Sequence, residues 1–136
     1  MLKYLLDTSI VIYVIKRRPL EALDNFNQHQ GALAISAITL SELVHGAEKS
    51  SAPARNMAVV DDFISRLEVL PYGLKAAQHY GQILAALEAV GQPIGVNDLH
   101  IAGHARSEGL TLVSNNLREF SKVPGLLTDN WVNTAT

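Results

Sequence analysis

The stretch Leu2-Lys3-Tyr4-Leu5-Leu6-Asp7-Thr8-Ser9 decides the fold. Its apolar residues predict a short buried strand, and beyond Asp7 the apolar positions of 10–15 follow a helical period. The chain therefore passes from strand to helix at Asp7, at the carboxyl end of the strand. In open α/β sheets ligands bind at that end. Helix N-capping is the simpler role for an aspartate here, and this stretch alone leaves both roles open.

The composition is that of one folded domain. The chain has 136 residues, 48% hydrophobic and 18% charged, which is enough for a sizeable core and argues against disorder. It has no cysteine, which excludes disulfides, thiolate catalysis and cysteine-ligated zinc. Asp7 interrupts the first apolar run and no small-residue cleavage site follows, so we expect no signal peptide. No apolar run approaches the ~20 residues of a membrane span.

The charge balance limits how the chain could meet a nucleic acid. The formal net charge is −2, whereas nucleic-acid binders usually carry a basic excess. Contact with phosphates must therefore come from a local patch or from a bound cation. The run Lys16-Arg17-Arg18 is one such patch, although a short run of charges usually forms a solvated loop.

Predicted strands alternate with predicted helices along the rest of the chain. Apolar patterns place further strands within 32–36, 69–72 and 111–114, and a short edge strand within 126–131. Helices are expected within 20–30, 38–49, 60–67, 80–90 and 97–109. This alternation predicts an α/β fold in which helices cover both faces of a parallel sheet. Right-handed crossovers then place every carboxyl end of a strand on one edge.

Two further carboxylates lie close to predicted helix starts. Glu42 follows the second predicted strand after a few residues, off the apolar face of its helix and in the first turn. The pattern Thr39-x-x-Glu42 matches a capping box, which is the structural interpretation of this segment. Asp98 opens a later helix, for which Asn97 is the expected N-cap. The local pattern does not fix where Asp98 lies in space.

Two histidines stand at a spacing that can bind zinc. His100 and His104 are four residues apart on one predicted helix. The residues between them, Ile101-Ala102-Gly103, lack the glutamate of a zinc protease. We therefore expect a packed histidine at 104 and a flanking polar histidine at 100.

Four segments resemble, in their order and spacing, the motifs of PIN-domain nucleases, and most of all VapC-type toxins of bacterial toxin–antitoxin pairs. These segments are the first strand with Asp7-Thr8-Ser9, then Ser41-Glu42, then Asn97-Asp98-Leu99-His100-Ile101-Ala102, and finally Leu112-Val113-Ser114-Asn115-Asn116 running into Arg118-Glu119-Phe120. The resemblance covers almost the whole chain. It implies a single PIN domain over residues 1–136, a three-layer α/β/α fold with a central, mainly parallel sheet of four to five strands.

The resemblance also implies the site. Asp7, Glu42 and Asp98 would be the catalytic acids, gathered around Mg²⁺ or Mn²⁺. Family members often carry a fourth acid after the fourth strand. The nearest positions here are Asn116, which is neutral, and Glu119, which lies three residues later, and both stay candidates.

Several other residues are auxiliary candidates. Thr8 and Ser9 are placed to hydrogen-bond Asp7 or a phosphate, with helix capping as the equal alternative. Contact with RNA is the functional interpretation of four cationic side chains, and solvated side chains are the structural one. These four are Lys16, Arg17, Arg18 and Arg118.

Physical chemistry supports a cation if the acids converge. Two carboxylates about 4 Å apart repel by about 4 kcal/mol at an effective dielectric near 20. Three would therefore hold a proton at raised pKa or bind a cation. Oxygen ligands without cysteine suit Mg²⁺ or Mn²⁺. Such an ion would reverse the local sign of charge for polyanionic RNA and would activate a water for in-line hydrolysis of a phosphodiester.

Further expectations come from the resemblance alone. It implies an endoribonuclease toxin in the cytoplasm that cleaves structured RNA and leaves a 3′-hydroxyl and a 5′-phosphate. The expected substrate is tRNA near the anticodon, with initiator tRNA as one candidate. A small VapB-type antitoxin would neutralise the toxin. A homodimer and a higher assembly with the antitoxin are also implied, without a membrane.

Two other functions compete with this one. A phosphohydrolase of the haloacid-dehalogenase kind also places an aspartate after its first strand, but it needs a second aspartate where this chain has Ser9. A non-catalytic PIN-like module would bind RNA or a protein and use its acids only as helix caps. The joint presence of Asp7, Glu42 and Asp98 argues against that module.

Overall fold

Five parallel strands form the centre of the molecule in a computed structural model that describes residues 1–132. In chain order these strands are β1 (Tyr4–Leu6), β2 (Leu33–Ser36), β3 (Glu68–Leu70), β4 (Thr111–Val113) and β5 (Thr128–Asp129). Their order in the sheet is β3-β2-β1-β4-β5, and every neighbouring pair is parallel. The predicted parallel sheet is confirmed, including the short edge strand near the end of the chain.

Seven helices within residues 1–132 cover the two faces of the sheet. They are α1 (Thr8–Lys16), α2 (Leu20–Gln28), α3 (Ala37–Glu48), α4 (Pro53–Ile64), α5 (Leu74–Ala89), α6 (Val96–Glu108) and α7 (Leu117–Phe120). Helices α1 to α4 pack into one apolar core, and α5, α6 and α7 pack into a second. Strand β1 joins both cores, because Tyr4 and Leu6 face the first and Leu5 faces the second. The result is the predicted three-layer α/β/α arrangement.

The order of the strands fixes where a ligand site belongs. From β1 the chain adds β2 and β3 on one side, and then crosses back to add β4 and β5 on the other. The two directions of growth meet between β1 and β4. The crevice outside the carboxyl ends of strands at such a switch point is the usual binding site of an open α/β sheet. Asp7 ends β1 and Ser114 ends β4, so both lie there.

Two predictions about helix starts are wrong. Helix α3 begins at Ala37, because the Ser36 hydroxyl accepts the amide of Ile38 at 3.1 Å. Thr39 is therefore the buried third residue of α3, and Glu42 lies in the second turn instead of completing a capping box.

Helix α6 has Gly95 as its N-cap, so Asn97 is its second residue and not its cap.

No helix among residues 1–132 is long and apolar enough to cross a membrane. A single domain over residues 1–136 stays a prediction, because the last four residues lie outside the described part.

Candidate active site

Asp7 is a buried carboxylate with both oxygens engaged. It is 4% exposed. Its Oδ1 accepts the Ile10 amide at 3.0 Å, which caps α1, and also accepts the Ser9 hydroxyl at 2.7 Å. Its Oδ2 accepts the hydroxyl of Ser114, from the end of β4, at 2.5 Å. Capping therefore accounts for one oxygen of Asp7, and the other is held by the neighbouring strand.

Glu42 is held by side chains from two other helices. The Thr8 hydroxyl at the start of α1 donates to Glu42 Oε1 at 2.5 Å. The Asn97 side-chain amide at the start of α6 donates to Glu42 Oε2 at 3.2 Å. These bonds join segments that are 34 and 55 residues apart. The helix starts that carry Asp7 and Asp98 therefore meet at Glu42.

Asp98 carries the clearest electrostatic sign that the acids converge. It is the half-buried third residue of α6. Burial raises the pKa of its carboxyl, and Asp7, Glu42 and Glu119 raise it further, to about 6. Four carboxylates from distant parts of the sequence therefore share one electrostatic neighbourhood.

Asp7 responds to the same surroundings. Burial raises the pKa of Asp7, and the charge of Glu42 adds to this. Hydrogen bonds from Ser114, Ile10 and Ser9 act in the opposite direction, because they stabilise the ionised form. The neighbourhood of Asp7 thus both concentrates negative charge and fixes the carboxylate in place.

Of the two candidates for a fourth acid, Glu119 faces the other acids. Its charge raises the pKa of Asp98. Its Oε2 is buried without a hydrogen-bond partner among residues 1–132, and Lys122 Nζ lies 3.9 Å away. Asn116 is exposed, its backbone amide donates to the Ser114 hydroxyl at 2.8 Å, and its side chain has no hydrogen-bond partner among residues 1–132. The structure therefore favours Glu119 as the fourth acid.

The donor set suits a hydrated divalent cation better than a closed cage. Within the described part of the chain, no three His, Cys, Asp or Glu side chains are grouped to hold an ion by themselves. Mg²⁺ usually keeps several waters and takes only one or two carboxylates from the protein. Burial raises the pKa of Asp98 most, and the charges of Asp7, Glu42 and Glu119 raise it further, so these carboxylates are neighbours without forming a closed cage of three ligands.

The predicted cationic patch lies away from the acids. Helix α1 starts beside Asp7 and spans nine residues, so Lys16 lies roughly 13 Å along its axis. Lys16 and Glu42 nevertheless line one groove of about 330 Å³. Arg17 lines a second groove of about 460 Å³. Arg18 and Arg118 are exposed, and contact of these cations with RNA stays a prediction.

Sequence reasoning assigned no role to Ser114 and gave Asn97 the wrong one. Ser114 was visible as a polar residue directly after a buried strand, which is a signal for the ligand-binding edge. The contact of Asn97 with Glu42 has no local signal. The prediction for His104 is confirmed, because this side chain is 1% exposed and its Nδ1 is 2.7 Å from the Ser36 hydroxyl.

Comparisons with known proteins agree with this geometry. The PIN domain family model matches residues 4–126. Ribonuclease VapC2 of Haemophilus influenzae is 63% identical over 97% of this chain and 100% of its own length. The tRNA(fMet)-specific endonuclease VapC of Shigella flexneri is 53% identical over 96% of this chain and 99% of its own.

Solved structures of VapBC complexes indicate the same family. The DNA-bound VapBC structure from Salmonella typhimurium has a TM-score of 0.93 and 53% identity, and covers 97% of this chain and 100% of the matched chain. VapBC2 from Rickettsia felis, bound to a DNA fragment from their promoter, has a TM-score of 0.91 and 39% identity, and covers 96% and 100%. The chain therefore belongs to the PIN-domain family and, within it, to the VapC-type ribonuclease toxins of VapBC toxin–antitoxin pairs.

Proposed function

We propose that this chain is a Mg²⁺- or Mn²⁺-dependent endoribonuclease toxin that hydrolyses tRNA, with Asp7, Glu42, Asp98 and Glu119 at its catalytic centre. One observation carries the proposal. Thr8 and Asn97, which are the sequence neighbours of Asp7 and Asp98, both donate hydrogen bonds to Glu42, and burial together with the other acids raises the pKa of Asp98 to about 6. Uncompensated negative charge of this kind is relieved by a proton or by a cation.

The acids and the hydroxyls of the catalytic centre have different roles. Asp7, Asp98 and Glu119 offer the carboxylate oxygens that would hold the ion. When bound, a divalent cation supplies Lewis-acid stabilisation of charge on the scissile phosphate and makes a water more acidic. The hydroxyls of Ser9 and Ser114 favour the ionised form of Asp7 against the effect of burial and fix its orientation.

Glu42 is oriented through both of its oxygens. Thr8 and Asn97 each donate one hydrogen bond to it. A carboxylate held in this way is placed either to bind the ion or to accept a proton from the attacking water. Its fixed position lowers the entropic cost of reaching the transition state.

A non-catalytic module is less consistent with these contacts. In that alternative the three acids would serve only as helix caps. Capping engages a single oxygen of Asp7, and Glu42 lies in the second turn of α3, where it caps nothing. No capping role thus remains for the contacts of Glu42 with Thr8 and Asn97.

The relatives support the substrate and the partner. A 53% identical relative is named as specific for tRNA(fMet), which supports initiator tRNA as the substrate. We further propose that the cut lies near the anticodon, that it leaves a 3′-hydroxyl and a 5′-phosphate, and that the toxin acts in the cytoplasm. Structures of VapBC complexes match nearly the whole chain. They support a VapB-type antitoxin as partner, and a homodimer of the toxin is the proposed unit of a larger assembly with it.

Cleavage of defined RNAs tests the proposal. Purified protein is incubated with initiator tRNA and with elongator methionine tRNA, in Mg²⁺, in Mn²⁺ and in EDTA, and new 5′ ends are sequenced. We expect cleavage of the initiator tRNA that EDTA and Asp7→Asn both abolish. The matched control is Asp24→Asn, on the exposed side of α2. Cleavage that persists in EDTA, or equal cleavage by Asp7→Asn, contradicts the proposal.

A further inference from the structure

Three aromatic side chains form a cluster near the start of α6, the helix that carries Asp98. Tyr72 follows β3, Tyr80 lies on α5 and His100 lies on α6. The rings of Tyr80 and His100 are stacked, with centroids 4.1 Å apart and planes 13° apart. The ring of Tyr72 meets His100 edge-on, with centroids 5.1 Å apart. The cluster therefore joins the end of an edge strand to two helices.

The cluster lies at the same edge of the sheet as the catalytic centre. His100 is three residues after Asn97, so the two side chains share one face of α6, one turn apart. Asn97 holds Glu42. Tyr72 comes two residues after β3, whose carboxyl end lies at the edge that also carries Asp7. An RNA strand with its phosphate at the acids would therefore pass within reach of the cluster.

Hydrogen bonding fixes the orientation of the His100 ring. The Tyr72 hydroxyl is 2.7 Å from His100 Nδ1 and 3.4 Å from the carbonyl of Ala76. The donor of the shorter bond is set by the tautomer of the histidine ring. Among residues 1–132, Nε2 has no hydrogen-bond partner. The cluster thus offers an unengaged ring nitrogen next to aromatic surface.

The packing of α5 against α6 depends on other residues, so it does not explain why these three rings are partly exposed. Helices α5 and α6 approach so closely at Gly103 that a Cβ there would lie 2.9 Å from the Tyr80 nitrogen. Buried Ile83 and Leu87 continue this contact. Tyr72, Tyr80 and His100 remain half-buried. Aromatic surface left partly open, with an unengaged ring nitrogen, is the chemistry that binds an unpaired base.

We propose that Tyr72 and His100 form a subsite for the nucleobase adjacent to the scissile phosphate. The base stacks on the partly exposed rings, and its edge forms a hydrogen bond with His100 Nε2. Tyr80 is a positioning residue that supports the His100 ring from beneath. This inference rests on the proposed ribonuclease function, because it assigns one part of the substrate to that site.

An abasic substitution isolates the subsite. The substrate is an anticodon stem-loop of initiator tRNA, with the base removed from the nucleotide on either side of the cleavage point. For the wild-type protein, we expect removal at one of these two positions to raise KM about tenfold, which corresponds to 1.4 kcal/mol and lies within the range for base–aromatic stacking. For His100→Ala, we expect a KM that is already raised and is insensitive to the missing base.

Two variants separate recognition from structure. Tyr72→Phe keeps the ring but loses the hydroxyl that holds His100, so part of the abasic effect should disappear even if His100→Ala fails to fold. The control is His79→Ala, on the same pair of helices, where His79 Nδ1 accepts from Arg106 at 2.8 Å. We expect this control to keep the full abasic effect.

The outcomes distinguish failure of the base subsite from failure of the ribonuclease function. If the wild-type protein cleaves the intact stem-loop and abasic sites affect all four proteins equally, the subsite is refuted and the ribonuclease stands. If the wild-type protein cleaves no RNA, the ribonuclease proposal fails and the subsite fails with it.

Discussion

Replacing Asp98 by asparagine should make the metal-free protein more stable while it removes one of the proposed catalytic acids. Asp98 is half-buried and makes no side-chain hydrogen bond within residues 1–132. Its carboxyl has a pKa of about 6, raised from 3.8 by burial and by neighbouring acids. Ionisation of Asp98 is therefore less favourable in the native state than in the unfolded chain. Asn keeps the shape of the side chain and removes the charge.

The magnitude follows from the pKa difference. About two pKa units at 1.36 kcal/mol each give about 3 kcal/mol. Solvent screening of a half-buried group reduces this value, and losing a negative charge at a helix N-terminus costs about 0.3–1 kcal/mol. We therefore expect Asp98→Asn to raise the free energy of unfolding by about 1–2 kcal/mol at pH 7.5.

The sign depends on pH in a way that identifies the cause. Below about pH 4, Asp98 is protonated in both states and the variant has no advantage. Between pH 4 and 6, the unfolded chain ionises first, so the wild-type protein loses stability as pH rises. Above pH 6 the full cost is present. The advantage of the variant should therefore appear between pH 4 and 6 and stay constant above.

Urea denaturation in EDTA measures this difference. The single tryptophan, Trp131, is 5% exposed and stacked on His29, so its fluorescence reports unfolding. The control Asp24→Asn, at an exposed position, should change stability by less than about 0.5 kcal/mol. A variant Asp98→Asn that is no more stable than wild type at pH 7.5, or equally favoured at pH 4, would refute the electrostatic account.

Three further substitutions test other contacts. Ser114→Ala leaves a buried Asp7 oxygen without its donor, so a loss of about 1–3 kcal/mol is expected in urea denaturation; no loss would mean that this bond is unimportant. Gly103→Ala forces a methyl group to 2.9 Å from the Tyr80 nitrogen, and we expect a cost of about 1–3 kcal/mol in thermal unfolding. Glu119→Gln should weaken Mn²⁺ binding at least about tenfold by calorimetry, and unchanged affinity would place Glu119 outside the centre.

The first strand and its aspartate were predictable because their signals are local. Buried parallel strands are continuous apolar runs, and the change to a helical period after Asp7 marks the strand's end. Alternation of strands and helices then predicted the parallel sheet and its common carboxyl edge. The same reasoning shows why Arg17 and Arg18 gain no support as phosphate ligands, because α1 leads away from that edge.

The errors arose where a tertiary contact overrode a local motif. Thr39 and Glu42 match a capping box, yet Ser36, the last residue of β2, caps α3 instead. Thr39 is fully buried, with its hydroxyl 3.4 Å from that of Thr8. Asn97 likewise serves Glu42 across 55 residues instead of capping its own helix. No local sequence pattern predicts which distant residue such a side chain will contact.

The most direct test of the central claim is anomalous scattering from a crystal of the wild-type protein soaked in Mn²⁺. The claim is that acids from four separate segments share one site that takes a divalent cation at the carboxyl edge of the sheet. The account predicts a manganese peak bordered by Asp7 and Asp98, with Glu119 facing it. A peak elsewhere on the molecule, or no peak at these acids under saturating Mn²⁺, would contradict the account.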